Sequence, residues 1–173
     1  MKKYEFTGET KVIAGVTLKR IRALISFGFV VKGEIGGFIE SEKNLSHDGN
    51  AWVTGNARVT GNARVADNAR VAGDAWVTGD AWVAGDAWVT GDAWVTGDAD
   101  YMLIGRIGSR SDFTTFFKDK DGGISVKCGC FSGTIEEFRE KVEETHGTNT
   151  KHAKVYQAAA NLAEMQILDQ EAE

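Results

Sequence analysis

The sequence predicts a mainly β protein in which helices occur only near the C-terminus. Three observations support this prediction: valines recur every sixth residue through the middle of the chain, glycine contributes 21 of the 173 residues, and proline is absent. Average usage would give about 12 glycines and about 9 prolines. A repetitive architecture with glycine at its turns is therefore indicated, and the 42% of hydrophobic residues is enough to bury a core.

The central repeat has the unit Ala-X-Val-X-Gly-Asp/Asn. Successive side chains of a strand point to opposite faces, so Ala and Val point one way and the intervening Trp or Arg points the other. Gly-Asp and Gly-Asn pairs accept the left-handed backbone angles of a sharp corner. Short strands with regular corners predict a parallel β-helix filled by Ala and Val, since a flexible linker would have no reason to keep the two in phase. The repeat valines are Val53, Val59, Val65, Val71, Val77, Val83, Val89 and Val95.

Outward residues 18 apart are expected to stack in ladders, because such a coil has about 18 residues and neighbouring rungs lie about 4.8 Å apart. A guanidinium on an indole stabilises by roughly 0.5 to 2 kcal/mol. Two interpretations stay open: the ladders stabilise the solenoid under flanking segments, or they form a contact surface. The predicted interface residues are Trp52, Arg70 and Trp88 in one ladder, Arg58, Trp76 and Trp94 in the second, and Arg64 and Trp82 in the third, which continues to Asp100.

The segment before the repeat is expected to close the end of the solenoid, where strand edges and core would otherwise face water. We assign residues 1–32 to an N-terminal β cap and residues 33–100 to the β-helix. Read backwards, the repeat places Leu45 and Ile39 at the Ala position. The same phase points His47 inward, where a hydrogen-bonded core histidine is expected.

Residues 101–173 are predicted to form a small C-terminal α+β domain. Asp121-Gly122 indicates a hairpin. Thr134 begins a capping box that opens a first helix, and a second helix with a wide apolar stripe follows over 151–168. The three predicted strands cover 101–107, 113–117 and 124–130.

Two cysteines in this domain, Cys128 and Cys130, have the spacing of a metal pair. Their alternation with apolar residues on one strand favours buried thiols that act as small hydrophobes. Only His146 and His152 remain as further ligands, at unconvincing spacing. We therefore predict neither a metal site nor a cofactor.

A run of basic and hydroxyl residues offers the groups that hold a phosphate or a nucleotide. A polar hairpin loop would look much the same, so both interpretations stay open. The candidate ligand-binding residues are Arg106, Ser109, Arg110, Thr114, Thr115 and Lys118.

The repeat, together with Leu18-Lys-Arg-Ile-Arg-Ala-Leu and Gly33-Glu-Ile-Gly-Gly-Phe-Ile-Glu, resembles the acyltransferase-like hexapeptide-repeat proteins, which implies a left-handed parallel β-helix. Cys128-Gly-Cys-Phe-Ser-Gly-Thr, Glu137-Phe-Arg and Glu144-Thr-His-Gly are similar to the domain appended to such repeats in phage and prophage proteins of the polymer-forming type. The resemblance implies that the protein is encoded by a phage or prophage and acts against the host.

Acyltransferases of the hexapeptide family use a histidine base between subunits and a loop extruded from the coils. Residues 53–98 contain neither, and the chain shows no Ser/His/Asp set and no Walker-type phosphate loop. Catalysis is therefore not expected. The alternative of an acyltransferase-like enzyme stays open.

The leading expectation is a non-catalytic binding protein, a phage- or prophage-encoded inhibitor of a host defence component that acts through protein contacts. A sponge that sequesters a nucleotide signal is the alternative within binding. The net charge of −5 argues against nucleic-acid binding, and the sequence offers neither a membrane span nor a signal peptide, so we expect the cytoplasm. Exposed Trp ladders favour self-association as a homodimer or trimer.

Overall fold

A computed structural model describes residues 2–168 of the chain. The chain divides into two compact units, one ending at Asp98 and the other beginning at Ala99. The first unit is built from a hairpin and a solenoid, and the second from an antiparallel sheet and two helices. Within the described residues, no helix is both long and apolar enough to cross a membrane.

The first unit opens with the antiparallel strands β1 (Tyr4–Ile13) and β2 (Val16–Ala23). Strand β3 (Ile35–Ile39) pairs antiparallel with β2 and parallel with the solenoid, so it connects the hairpin to the first coil. Short 3-10 helices lie at Glu42–Asn44 and Asp98–Asp100. The solenoid strands are β4 (Trp52–Val53), β5 (Arg58–Val59), β6 (Arg64–Val65), β7 (Arg70–Val71), β8 (Trp76–Val77), β9 (Trp82–Val83), β10 (Trp88–Val89) and β11 (Trp94–Val95).

Each solenoid strand pairs in parallel with a strand 18 residues away, which gives a parallel β-solenoid of about three coils. The amide of Trp52, for example, donates to the carbonyl of Ala69 at 3.0 Å. The strands form three stacks: β4-β7-β10, β6-β9, and β5-β8-β11, the last continuing the sheet of β1, β2 and β3. Every Ala and Val of the repeat strands is at most 2% exposed. The predicted interior is thus confirmed.

The corners repeat one backbone conformation. Gly79 has φ 63°, and a Cβ there would lie 2.2 Å from the carbonyl oxygen of Thr96 in the next coil, so the close stacking of corners requires glycine. Asp67 takes the glycine place in one coil with φ 58°. Its carboxylate compensates by accepting the amide of Gly85 at 3.0 Å.

The register of the first coil differs from the prediction. Ile39 pairs with Val59, and Leu45 bridges to Val65, 20 residues later instead of 18. Ile39 and Leu45 therefore take the Val position, and the assignment to the Ala position is wrong. The physical reason is a two-residue insertion after Leu45, which a strict six-residue phase cannot detect.

His47 lies in that insertion and does not point into the solenoid. Its ring stacks on Tyr4 at 4.3 Å, and its Nδ1 accepts the amide of Lys3 at 3.2 Å. The expectation of an inward core histidine is wrong because the insertion shifts the side chain to the cap. Burial lowers the pKa of His47, with Glu42 acting in the opposite direction.

Three buried polar side chains complete the hydrogen bonding of the first coil. Lys3 and Tyr4 bind carbonyls of that coil, which have no preceding coil to pair with, and Asn44 binds carbonyls of the next coil. The Lys3 ammonium donates to the carbonyl of Ala51 at 2.9 Å, and the Tyr4 hydroxyl donates to that of Leu45 at 2.9 Å. The amide of Asn44 donates to the carbonyls of Gly61 and Ala63, at 3.1 and 2.8 Å. Buried carbonyls are costly when unpaired, so these contacts make the end of the solenoid stable.

The second unit consists of β12 (Tyr101–Ile107), β13 (Asp112–Lys118), β14 (Ile124–Cys128), β15 (Phe131–Thr134), α1 (Ile135–His146) and α2 (Lys151–Ile167). The four strands are antiparallel and lie in the order β12-β13-β14-β15. Helices α1 and α2 pack on the sheet, with Phe138 in edge-to-face contact with Phe116 at 5.8 Å and with Tyr156 at 5.6 Å.

Sequence reasoning predicted the hairpin and the helix cap of this unit correctly. The β13–β14 turn is closed by the Asp119 carboxylate, which accepts the amides of Asp121 and Gly123 at 3.0 and 2.9 Å. The capping box is also present: the Thr134 hydroxyl accepts the Glu137 amide at 3.2 Å, and the Glu137 carboxylate accepts the Thr134 amide at 2.9 Å.

The predicted third strand is wrong at its end. Residues 124–130 do not form one strand: β14 ends at Cys128, and the chain turns through Gly129, whose φ of 55° suits a tight hairpin. Cys130 is therefore exposed at the turn, and only Cys128 is partly buried. A fourth strand, β15, follows the turn.

Candidate functional site

The outward side chains of the solenoid stack in the predicted ladders. Arg70 lies in register between Trp52 and Trp88, and Trp76 lies between Arg58 and Trp94. The guanidinium carbons sit 5.1 to 5.9 Å from the centroids of the indoles they face. The predicted stacking of the outward arginines on neighbouring tryptophans is thus confirmed.

The hairpin and the segment that follows it cover one end of the first ladder. Trp52 is 2% exposed, with the ring of Phe27 edge-on at 5.5 Å and that of Tyr4 at 6.4 Å. A Cβ on Gly36 would lie 2.7 Å from the indole, so the absence of a side chain at Gly36 makes room for the ring. The structure therefore places Trp52 inside the protein and not at a surface open to a partner.

The second ladder is part of a longer row that we name the arginine–aromatic row. The register of β2, β3, β5, β8 and β11 aligns five outward side chains across one sheet, over about 19 Å at strand spacing. The row begins at Arg20. Its guanidinium carbon lies 4.9 Å from the centroid of the Phe38 ring, and its Nη1 donates to the Glu9 carboxylate at 3.2 Å. Its members are Arg20, Phe38, Arg58, Trp76 and Trp94.

The row becomes more exposed along its length. Phe38 is 4% exposed, because Lys11 and Arg20 lie over its ring, whereas Trp94 is 42% exposed. The indole rings of Trp76 and Trp94 are stacked: their planes are nearly parallel, at 3°, and their centroids lie 5.9 Å apart. The indole Nε1 of Trp76 donates a hydrogen bond to the Thr60 hydroxyl at 3.1 Å. This end of the row is a prearranged apolar surface.

The third ladder presents Trp82, which is 53% exposed on an adjacent face and faces the exposed Arg64. The predicted continuation to Asp100 is wrong. Asp100 lies in the 3-10 helix and is 5% exposed, because the repeat backbone ends before it. Asp98 lies in the same 3-10 helix, and its carboxylate accepts the amide of Trp82 at 2.6 Å.

A groove of about 400 Å³ lies beside the first ladder. There the Arg70 guanidinium sits between the ring of Phe29, at 4.5 Å, and that of Trp88, at 5.6 Å. A polar ladder forms its other wall, since the Asn68 side chain accepts from Asn50 at 2.9 Å and donates to Asp86 at 3.1 Å. Here Arg70 is half-buried between two rings rather than presented to a partner.

The six candidate ligand-binding residues of the second unit are not brought together. Thr114 and Thr115 are 0% and 2% exposed within the sheet, so they have no surface from which to contact a ligand. Arg106 stacks on Phe113 at 5.8 Å. Lys118 ends β13, and the remaining pair, Ser109 and Arg110, lines a cavity.

That cavity, the C-terminal cavity, has a volume of about 520 Å³. It lies between the β12–β13 turn, the β14–β15 turn and the two helices, and both cysteines line it. Its aromatic and apolar lining is Phe131, Phe138, Val142 and Tyr156. Its polar lining is Ser109, Arg110, Ser132, Lys141, Thr145 and His146, so none of the lining residues is acidic.

Tyr156 organises the inner end of this cavity. Its hydroxyl lies within hydrogen-bonding reach of Ser109 and of the Cys128 thiol, and burial raises the pKa of Tyr156 above its usual value. Gly108, with φ 71°, passes so close to the hydroxyl that no side chain would fit there. The Thr114 hydroxyl donates to the Cys128 sulfur at 3.2 Å, and the His146 ring stacks on Tyr156 at 5.8 Å.

Sequence reasoning missed two parts of these sites. Arg20 and Phe38 belong to the row, and Gly36-Gly37 before Phe38 would have signalled a crowded strand had the register been known. Lys141 and Tyr156 line the cavity from helices, and only tertiary packing brings them there. Over residues 2–168 no group of three or more His, Cys, Asp or Glu side chains is arranged to hold a metal ion.

Comparison with known proteins adds no family to this description. No family profile matches the chain, and no curated protein matches it significantly.

Proposed function

We propose that the chain is a non-catalytic binding protein that contacts protein partners through the exposed indoles of its solenoid, and that a second copy of the chain is the first such partner. The observation that carries the proposal is the exposure of Trp94 and Trp82, at 42% and 53%, on adjacent faces of a rigid stack. Trp and Arg dominate the energetics of protein interfaces. Contiguous exposed apolar surface is uncommon on proteins that remain monomeric.

The geometry of the row supports a binding role because it is already ordered. The parallel indoles of Trp76 and Trp94 and the hydrogen bond from Trp76 to Thr60 fix the side chains before a partner arrives. Little side-chain entropy would then be lost on association. Closed symmetry with two or three copies would cover the exposed rings.

The histidine nearest to the repeat is engaged in the cap, which favours binding over acyl transfer. His47 stacks on Tyr4 and accepts the amide of Lys3. A general base must reach the proton that it removes, and this side chain is held under the hairpin. The setting of the proposal, a phage-encoded inhibitor that acts on a host defence component, rests on the sequence resemblance alone.

Light scattering and sedimentation test the proposal. The wild type is expected to be a dimer or trimer at micromolar concentration, and the Trp82→Ser/Trp94→Ser variant is expected to be monomeric, because the apolar contact surface is removed. Val12→Ser is the matched control, since Val12 is 67% exposed but lies outside the row. Its assembly should equal that of the wild type.

Two outcomes would contradict the proposal of self-association. One is a wild type that stays monomeric up to the highest concentration measured. The other is loss of assembly in a Leu162→Ser/Met165→Ser variant while the tryptophan variant still assembles, since Leu162 and Met165 are exposed on α2. That result would place the interface on the helix.

A further inference from the structure

The C-terminal cavity has the size and composition of a small-molecule site. Ligand pockets have volumes of about 300 to 1,000 Å³, apolar walls and a few convergent polar groups, and this cavity measures about 520 Å³. Four separate chain segments line it, so it is a feature of the fold and not of one loop. The cavity lies in the second unit and does not depend on the function proposed for the solenoid.

The charge of the cavity selects the sign of its ligand. Arg110 and Lys141 are its cations, and none of the residues lining it is acidic. Lys141 is bound to Glu144 at 2.7 Å. Of the two cations in the lining, the guanidinium of Arg110 is therefore the one that remains to bind an anion.

The position of Arg110 is defined by the turn between the cysteines. A Cβ on Gly129 would lie 3.3 Å from its Nη1, so the guanidinium rests against the backbone of the β14–β15 turn. Ser109 precedes it, and Ser132 lies in the lining as well. A guanidinium beside hydroxyl donors is suited to carboxylate, sulfonate or phosphate oxygens.

The opposite wall is apolar. Phe131 and Phe138 lie with ring centroids 5.5 Å apart, and Val142 lies beside them. Phe138 and Val142 are 3% and 5% exposed and belong to the core, so this wall is rigid. Phe131, the half-buried member of this wall, is the ring against which a flat apolar body would bury its surface while its charged end remained at Arg110.

We propose that the C-terminal cavity binds a small organic anion, a planar apolar ring system that carries one carboxylate, sulfonate or phosphate group. The anionic group binds Arg110 and the Ser109 hydroxyl. The ring system lies against Phe131, which is half-buried and packs on Phe138. Occupancy covers Cys128 at the inner end of the cavity.

The cysteines provide a localised assay, because the chain has only two and both line the cavity. A Cys130→Ser variant leaves Cys128 as the sole thiol, and its alkylation by iodoacetamide is followed by mass spectrometry. The probe is 8-anilinonaphthalene-1-sulfonate, in a Trp82→Ser/Trp94→Ser background that keeps the dye off the exposed indoles. At ten times the measured Kd, alkylation of Cys128 should slow about tenfold.

Arg110→Gln is expected to raise the Kd of the dye about tenfold, because a charge-assisted contact is lost. The matched control is Arg106→Gln, an exposed arginine that stacks on Phe113 outside the cavity; its Kd should stay within twofold. The neutral N-phenyl-1-naphthylamine, which lacks the sulfonate, should bind both variants equally. Inorganic phosphate at the same concentration should not protect Cys128, because it has no ring.

Three results would overturn the proposal. The first is that the dye binds without slowing alkylation of Cys128. The second is that Arg106→Gln weakens binding as much as Arg110→Gln, which would show a diffuse charge effect. The third is that phosphate protects Cys128 as well as the dye does, which would remove the apolar wall from recognition.

Discussion

The coils from Val53 onward and the first coil before them solve the same structural problem with different residues. In the later coils, Ala and Val fill the interior, and alternate backbone amides, such as those of Arg58 and Thr60, donate to carbonyls of the next coil. At the first coil, the Lys3 and Tyr4 side chains donate to carbonyls that have no preceding coil to pair with, and the Asn44 side chain donates to Gly61 and Ala63 of the next coil. The repeat therefore specifies its own interior, whereas the end of the solenoid requires polar side chains from outside the repeat to bind its backbone carbonyls.

The largest effect is expected from a charge in the repeat interior. Val77 is fully buried, so Val77→Asp would place an unpaired carboxylate in the solenoid and lower the free energy of unfolding by about 4 kcal/mol or more. Denaturant unfolding followed by tryptophan fluorescence measures this, since all five tryptophans belong to the solenoid. Val12→Asp, at an exposed hairpin position, should change stability by about 0.5 kcal/mol or less. Equal effects at the two positions would refute the inward assignment.

A smaller, pH-dependent effect is expected at the end of the solenoid. Burial lowers the pKa of Lys3 from 10.5 to about 8, with Asp48 acting in the opposite direction. Above pH 8 the folded protein releases this proton while the unfolded chain keeps it. The unfolded state then binds more protons, so stability rises with pH, by at most about 1.4 kcal/mol per pH unit.

The free energy of unfolding of the wild type minus that of Lys3→Met should therefore increase between pH 8 and 9.5. The window ends below pH 10 because burial also raises the pKa of Tyr4, so that above pH 10 the unfolded chain loses the tyrosine proton first and stability falls. Parallel pH profiles for the wild type and Lys3→Met would show that the ammonium of Lys3 is not held in the buried cap.

The parts of the fold that could be predicted from the sequence are those set by the repeat phase or by local turn and cap residues. Strict phase correctly placed the valines from Val53 to Val95 and the alanines two residues before each of them, because one repeat unit has one environment. The two-residue insertion after Leu45 breaks that phase, so Ile39 and His47 were misassigned. In the second unit, turn and cap residues such as Thr134 act locally and were predicted, but the turn at Gly129 lies inside an alternating apolar run.

The candidate sites follow the same division. The ladders could be predicted because an 18-residue coil places Arg58 below Trp76 by arithmetic. The burial of Trp52 could not be predicted, since the rings that cover it, those of Tyr4 and Phe27, come from outside the repeat. The C-terminal cavity depends on how Arg110 and Tyr156 meet across separate elements, which no local pattern encodes.

Hydroxyl-radical footprinting of the wild type at low and high protein concentration tests most directly whether the exposed indoles form the contact surface. Oxidation of each Trp and Met is read by mass spectrometry without any substitution. The account predicts that Trp82 and Trp94 react strongly in dilute protein and become protected on assembly, while Trp52 stays unreactive and Met165 stays reactive throughout. Equal oxidation of Trp82 and Trp94 in dilute and assembled protein, with protection at Met165 instead, would contradict it.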